Sequence, residues 1–362
     1  MSRISEAPLQ RHAGFSLVEI MVGVVIGMLA IIVIMQVFAM SEGQKRTTVG
    51  GADAQNSGAI MLHALQRDIG QAGYGFASRE LFGCALTWKL PSGTDIATPV
   101  PLAPVAINPA ANIIPAGDAN TDTMLVIYGN AVDEPQGNAI NASAANVHTV
   151  QMPNSFKAGD RVIAAPAACT AGALVLDRIS STSATTVTAV TSAAGTTLFN
   201  LGQRPQILAY AVRNGNLTVC DYLVNDCGLD ASKNNASIWV AIAGQIVSMK
   251  AEYGRDSTSP TMDAILDTYD RTTPVNACGW SRVSALRLAL VARSAQFETR
   301  IDSTTGQRTC DPVTPNAPAW NGSAGSPIDL SAYADWQCHR YKVSQTVVPI
   351  RNVAWMGVQP GC

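Results

Sequence analysis

Histidine is scarce in this chain. Only His12, His63, His148 and His339 occur in 362 residues, with no HExxH and no CxxC pair, so the usual frameworks for a zinc site are absent. No P-loop is present, and GSAG at Gly322 to Gly325 lacks the spacing of a nucleophile elbow. Neither catalysis nor cofactor binding has a constellation behind it, so the expectation is a non-enzyme with no metal and no cofactor. Charge imbalance is lacking too. The formal net charge is −2, and nothing here draws nucleic acid electrostatically. Cysteine is missing from the first 83 residues. Asp118, Asn120 and Asp122 have the alternate spacing of a calcium loop, but Thr123 stands where the turn glycine belongs and Gly129 where the closing glutamate belongs. They read as the lead-in to a strand.

What is present begins with an apolar run. From Ile20 to Met40 there are 21 residues without a charge, about the length that crosses a hydrocarbon core as a helix. A short polar leader with Arg3, Glu6 and Arg11 precedes it, so the positive-inside bias keeps the leader cytoplasmic and sends the rest across. A cleaved secretory signal has the opposite order, with its small-residue cut site after the apolar run. Glu19 at the head of the run is the oddity, because an unpaired carboxylate near the bilayer centre costs roughly 2.5–3.5 kcal/mol. Gly23 and Gly27 form a GxxxG step, which suits either close helix approach or local flexibility.

All eight cysteines, Cys84, Cys169, Cys220, Cys227, Cys278, Cys310, Cys338 and Cys362, lie on the far side of the anchor. An even count in an exported chain points to disulfides in an oxidising compartment. Eight cysteines admit on the order of a hundred pairings; Cys220 with Cys227 and Cys310 with Cys338 are the two pairs that short intervening loops suggest. Removing Arg3, Glu6 and Arg11 with the leader would bring the formal charge to −3.

Past the membrane the helix is expected to continue. Leu62, Leu65, Ile69, Ala72 and Phe76 recur at alternating three- and four-residue spacing and make one apolar stripe, with Gln66, Arg67 and Gln71 facing elsewhere. Gly50, Gly51 and Gly58 weaken the stretch between, so bending or fraying is expected near Gly50 and the helix end near Gly73 to Gly75. Nine segments then read as strands by β-branched content or alternation: 121–129, 161–166, 173–179, 185–190, 206–213, 237–244, 245–254, 282–293 and 342–350. The leucines of RLALVARS within the eighth fit either period. RNGN at Arg213 to Asn216 is a hairpin turn signal. A short helix is expected over Met262 to Tyr269, and loops over Pro91 to Pro115 and Asp311 to Pro327. Trp336 and Trp355 suit either a binding surface or, with more weight, buried positions in a sheet.

GFSLVE at Gly14 to Glu19 followed by the apolar run resembles a class III (type IV prepilin) signal. The resemblance implies that a prepilin peptidase cuts after Gly14, that Phe15 becomes the N-methylated first residue, and that Glu19 is the fifth. Staggered parallel helices would let Glu19 approach the Phe15 amine of a neighbouring subunit, and such a charge-assisted pair would offset part of the desolvation of both groups. Several later blocks, LQRDIGQAGYGF, DTMLVIYG, ILAYAVRNGNL, AIAGQIVSMKAEYGRD, WSRVSALRLALVARS and YKVSQTVVPIRN, taken in order from Gly14 to Asn352, resemble the PilW family of type IV pilus assembly minor pilins. Between blocks, 130–160 and 310–337 match nothing in that pattern and are where surface specificity is expected.

The fold implied is α+β, a long N-terminal pilin helix (a transmembrane half plus an amphipathic half) packed on a β-rich, disulfide-containing head. The divisions are a leader at 1–14, a transmembrane segment at 15–40, an amphipathic half at 41–76, and a head at 77–362 of one or two subdomains. The function implied is a minor pilin that helps initiate pilus assembly and sits at the tip. Its partners would be the prepilin peptidase, other minor pilins, the major pilin and a large tip adhesin. Before assembly it would be a single-pass inner-membrane protein with its head in the periplasm. The alternatives are a J-type pseudopilin of a type II secretion system and a pilin-anchored adhesin.

Overall fold

Ser16 is followed at three residues by Glu19, the spacing of a helix-capping box, and its carbonyl accepts the first helical bonds, from Glu19 N at 3.0 Å and Ile20 N at 3.2 Å. From there α1 (Leu17–Gln71) continues for 55 residues. The computed structural model describes residues 16–132, 136–166, 169, 174–191, 194–322 and 326–362, with the backbone alone at 46 and 47. Two compact units result, residues 1–50 and 51–362. The first, as described, is helix alone, and its large apolar residues from Leu17 to Met40 are all exposed.

In the second unit the same helix carries a buried stripe. Leu62, Leu65 and Ile69 of the helix, and Ala72 and Phe76 in the turn just past its end, are at most 8% exposed, as their spacing predicts. Burial of each large apolar side chain stabilises by about 1.5–3 kcal/mol. Those gains exceed the helix cost of up to about 1 kcal/mol for each glycine, and the fraying expected near Gly50 is not found: α1 passes helically through Gly50, Gly51 and Gly58. Gly58 lets the helix pack closely here, since a Cβ there would lie 2.9 Å from Ser344 Oγ and the serine side chain would have to turn aside. The helix stops where predicted. Gly73 and Gly75 both have positive φ, 84° and 86°, a conformation that glycine adopts without strain and that turns the chain out of the helix.

Four short strands follow, β1 (Ala85–Thr87), β2 (Val100–Pro101), β3 (Val105–Ile107) and β4 (Met124–Tyr128). β2 and β3 fall inside the segment expected to be loop. Their brevity hides the period, and Val105 to Ile107 is buried on both faces, so no alternation exists to read. β5 (Asn138–Ala144), β6 (Val147–Val150), β7 (Arg161–Ala165), β8 (Leu174–Thr182), β9 (Thr186–Ala189) and β10 (Thr197–Gly202) form a closed antiparallel ring in the order β8-β7-β10-β5-β6-β9, with β9 returning to β8. Closure removes free sheet edges. Val150, Phe156, Val162, Ala164, Ile179, Val187 and Leu198 fill the barrel. The outward neighbours Ile163, Ala165, Leu176, Phe199 and Leu201 belong instead to the main core, shared with the α1 stripe. β1 joins the barrel by pairing parallel to the start of β8.

β11 (Gln206–Arg213), β12 (Asn216–Asp221) and β13 (Val240–Gly244) complete a five-stranded sheet in the order β13-β12-β11-β4-β3. The predicted hairpin turn joins β11 and β12, with Asn214 and Gly215 at φ 51° and 69°, the type I′ signature. β14 (Ile246–Arg255), β15 (Thr268–Asp270) and β16 (Val283–Arg293), with α2 (Ala277–Ser281) before β16, form a further sheet in the order β15-β14-β16, to which one more strand adds beside β16. β17 (Thr299–Ile301) and β18 (Arg308–Cys310) make a two-stranded ribbon; β19 (Tyr341–Pro349) is the outer strand of the preceding sheet, and α3 (Arg351–Ala354) follows it. RLALVARS is strand, the middle of its sheet. The helix expected over 262–269 is absent. Asp256 accepts the backbone N–H groups of Asp263 and Ala264, both at 2.7 Å, and so holds the segment as a loop whose far end pairs as β15.

Candidate assembly site

Gly14 and Phe15, the expected cleavage and methylation positions, lie outside the described residues. Glu19 sits in the first turn of α1 with its side chain exposed. Its backbone N–H is satisfied by Ser16, and a carboxylate in a first turn is favoured by the positive end of the helix dipole. Around it the 17–40 segment offers an apolar surface that only Glu19 and Gln36 interrupt with polar side chains, and nothing lies within 4 Å of the Cβ positions of Gly23 and Gly27. With mean hydropathy 2.9 over its richest stretch, this exposed helix is by length and composition long and apolar enough to cross a hydrocarbon core.

The part of α1 in the second unit is tied to the head by polar groups among its apolar contacts. Asp68, 5% exposed, accepts hydrogen bonds from Tyr128 Oη of β4 at 3.1 Å and Tyr210 Oη of β11 at 2.7 Å. Burial first, then the Asp68 charge, push both phenols far above their ordinary range, so they stay neutral donors. Gln66 Nε2 donates to Thr346 Oγ1 at 2.7 Å, and Asn352 Nδ2 donates to the carbonyls of Gln71 and Ala72, both at 3.0 Å. The last contact satisfies helix-end carbonyls that would otherwise lack partners. No motif marks Asp68 in the sequence; a lone aspartate beside a leucine stripe is the only local signal.

Four disulfides brace the head: Cys84–Cys169, Cys220–Cys227, Cys278–Cys362 and Cys310–Cys338. Two close short loops. The other two join residues 85 and 84 positions apart, so one ties the start of the head to the segment before β8 and the other ties the C-terminus to α2.

Asp118, Asn120 and Asp122 do not converge. Asp118 accepts the N–H groups of Asn214 and Gly215 at 2.8 and 2.7 Å and the hydroxyl of Tyr333 at 2.9 Å, which holds the β11–β12 turn. Asn120 donates to Asp329, while Asp122 accepts from Ala251 N, Asn108 Nδ2 and Arg271. The three side chains organise loops. Asp256, Asp263 and Asp267 bring three carboxylates within 4.8 Å, yet backbone N–H groups of Thr258, Ala264 and Asp263 and the Arg282 guanidinium occupy Asp256. Burial pushes its carboxyl up, and these donors more than reverse that and hold it low. His148 pairs with Ser143 Oγ at 2.8 Å and His339 Nδ1 donates to the Ser294 carbonyl at 3.0 Å; burial lowers the pKa of both. No nucleophile, base and orienting acid come together among the described residues.

Trp336 is half-buried, but Trp355 is 79% exposed, which corrects the weightier sequence expectation for it. The short α3 has room to bury only one side, and Val353 takes it. Trp355 and Arg351 instead flank a cleft of about 390 Å³ with Tyr74, Tyr128 and Asn352.

Comparison with known proteins adds a family. The model of the family described as PilW, Type IV Pilus-assembly protein W, matches residues 209–352. That stretch begins within β11 and ends in α3, so it contains the last three of the sequence blocks quoted above and most of ILAYAVRNGNL, and shares their end at Asn352. Among solved structures, a type IV-like pilin from Thermus thermophilus is similar at 12% identity and TM-score 0.31, covering 83% of this chain and 96% of that one. No curated protein matches. The resemblance carried by the ordered blocks is thus matched over β12 to β19, most of β11 and the start of α3: residues 209–352 are similar to the PilW family of type IV pilus assembly proteins.

Proposed function

We propose that this chain is a minor pilin that initiates assembly of a type IV pilus and remains at its tip. The observation that carries the reading is one continuous helix with two surfaces. Its first stretch, from Leu17 to Met40, is apolar and exposed, while its last turns are buried in a disulfide-braced β head whose C-terminal part matches a pilus assembly family. Such a helix can leave a bilayer only for another apolar environment, and a bundle of like helices is one.

In this reading residues 1–14 are a leader removed by a prepilin peptidase after Gly14. Phe15 becomes the N-methylated terminus, 15–40 spans the inner membrane, and the head lies in the periplasm. Glu19 pairs with the amine of a neighbouring subunit, which offsets the cost of a carboxylate in the apolar layer. The partners are the major pilin, other minor pilins and a large tip adhesin, and the role is structural, not enzymatic. A head of this size suits a subunit used in few copies better than one repeated along a filament.

The test is the amount of major pilin sheared from cells lacking this gene, against the same cells complemented. A large, complementable loss upholds the proposal. Normal piliation with failed protein secretion would replace it with a secretion pseudopilin, and normal piliation with failed attachment would replace it with a pilin-anchored adhesin.

A further inference from the structure

Arg161 on β7 and Arg178 on β8 are directly opposed across an antiparallel pair, so their side chains leave the same face about 5 Å apart at Cβ. Like charges in that position are destabilising. On its other side Arg161 faces Gly202 of β10, which has no side chain to offer. Asp177 is the nearby acid, but its oxygens accept Thr191 N and Oγ1, at 2.8 and 2.7 Å, and Arg178 N at 2.7 Å. Among the described residues no carboxylate lies within ion-pair distance of either guanidinium. Arg161 is half-buried, and burial first, then Arg178, lower its pKa.

Both arginines line a cavity of about 680 Å³. Leu90, Val175 and Val190 supply apolar wall, and Lys89 at the rim adds a third cation, bound weakly to Asp95 across 3.4 Å. Two forked donors aimed from one face suit an oxyanion, because a guanidinium presents paired N–H groups at the spacing of carboxylate, sulfate or phosphate oxygens. The geometry points to an oxyanion-binding site between β1, β7 and β8, centred on Arg161 and Arg178, whose ligand is a sulfate, phosphate or carboxylate group, free or carried on a saccharide. The apolar wall accommodates the body that bears the group. This site is separate from the assembly helix, and its test reads binding by purified protein whatever the chain does in a pilus.

Full-length protein in detergent would be titrated with sodium sulfate, against sodium chloride at equal ionic strength, following its unfolding midpoint. A sulfated disaccharide and its neutral counterpart form a second arm. Sulfate is expected to raise the midpoint saturably, with Arg161→Gln and Arg178→Gln each weakening the apparent affinity at least tenfold and Arg351→Gln leaving it unchanged. Without added oxyanion, Arg178→Gln should unfold at a higher temperature than the parent, because the repulsion is gone; this exposed position keeps the test independent of folding. Tighter binding of the sulfated disaccharide than of sulfate assigns the saccharide-borne source, and the reverse order assigns the free ion. Equal effects of sulfate and chloride, unchanged affinity in both variants, or a lower midpoint for Arg178→Gln would overturn the site.

Discussion

Tyr210 Oη in the five-stranded sheet donates a 2.7 Å hydrogen bond to Asp68 in the helix, and this bond joins the element that carries the exposed apolar stretch to the strand in which the match to the PilW family begins. A buried carboxylate between two phenols is costly to disturb. Hydrogen bonds to charged groups contribute about 1.5–3 kcal/mol each, and removing the acceptor strands both donors.

Asp68→Ala should therefore destabilise the head more than Tyr210→Phe, with losses of about 3–5 and 1.5–3 kcal/mol. Chemical denaturation followed by tryptophan fluorescence reads both. Equal, small effects would show that the clamp contributes little.

The same phenols set an alkaline limit. Tyr128 and Tyr210 have pKa values raised in the folded state by burial and by Asp68, and burial pushes Tyr341 up to about 12. Above about pH 10, the ordinary tyrosine value, the unfolded chain loses protons that the folded one keeps, so stability is intact below that pH and falls as pH rises beyond it. Unfolding midpoints between pH 8 and 11 should decline from about pH 10, less steeply in Tyr210→Phe. A flat profile would contradict the burial of these hydroxyls.

Disulfide loss should be graded by loop length. On the chain-entropy account, closing 84 residues between Cys278 and Cys362 stabilises by about 2 kcal/mol more than closing 7 between Cys220 and Cys227. Paired Cys→Ser variants compared by denaturant midpoint test the order.

Glycine at 202 is required by both conformation and space. Its φ is +80°, and an added Cβ would lie 2.6 Å from the backbone nitrogen of Ala131. Gly93 has a similar φ of +88° with nothing within 4 Å. Gly93→Ala should cost about 1–2 kcal/mol, the left-handed penalty alone, and Gly202→Ala clearly more. Equal costs would mean that the end of β10, where the pairing with β7 shifts register between Asn200 and Gly202, relaxes freely.

Glu19→Ala should leave precursor cleavage intact while reducing incorporation into sheared filaments at least several-fold. Immunoblots of precursor, mature and sheared fractions separate the two steps. Normal incorporation would remove the proposed Glu19 pairing.

Much of the head was legible where one strand carries its own period. β11 coincides with its predicted span, and β4, β7, β9, β14, β16 and β19 fall within theirs or within a residue of them, because alternation and β-branching act locally. β5, β6, β10 and β12 were not read. β5 buries Asn138 and exposes most of its other residues, while residues 198–202 of β10 are buried on both faces; one lacks an apolar period and the other lacks a polar one. Trp355 defeated a composition argument, since exposure depends on what a neighbouring element leaves uncovered.

The apolar helix, the stripe that buries its last turns, the Asn-Gly hairpin and most long strands follow from interactions within a few residues along the chain. The three-dimensional fold was needed to see that β8 and β9 close a barrel, that Cys84 meets Cys169 and Cys278 meets Cys362, that Asp68 is held by Tyr128 and Tyr210, and that Arg161 faces Arg178. Each of these joins residues brought together by strand register and loop closure, and a one-residue change of register would point every side chain of a strand to its other face.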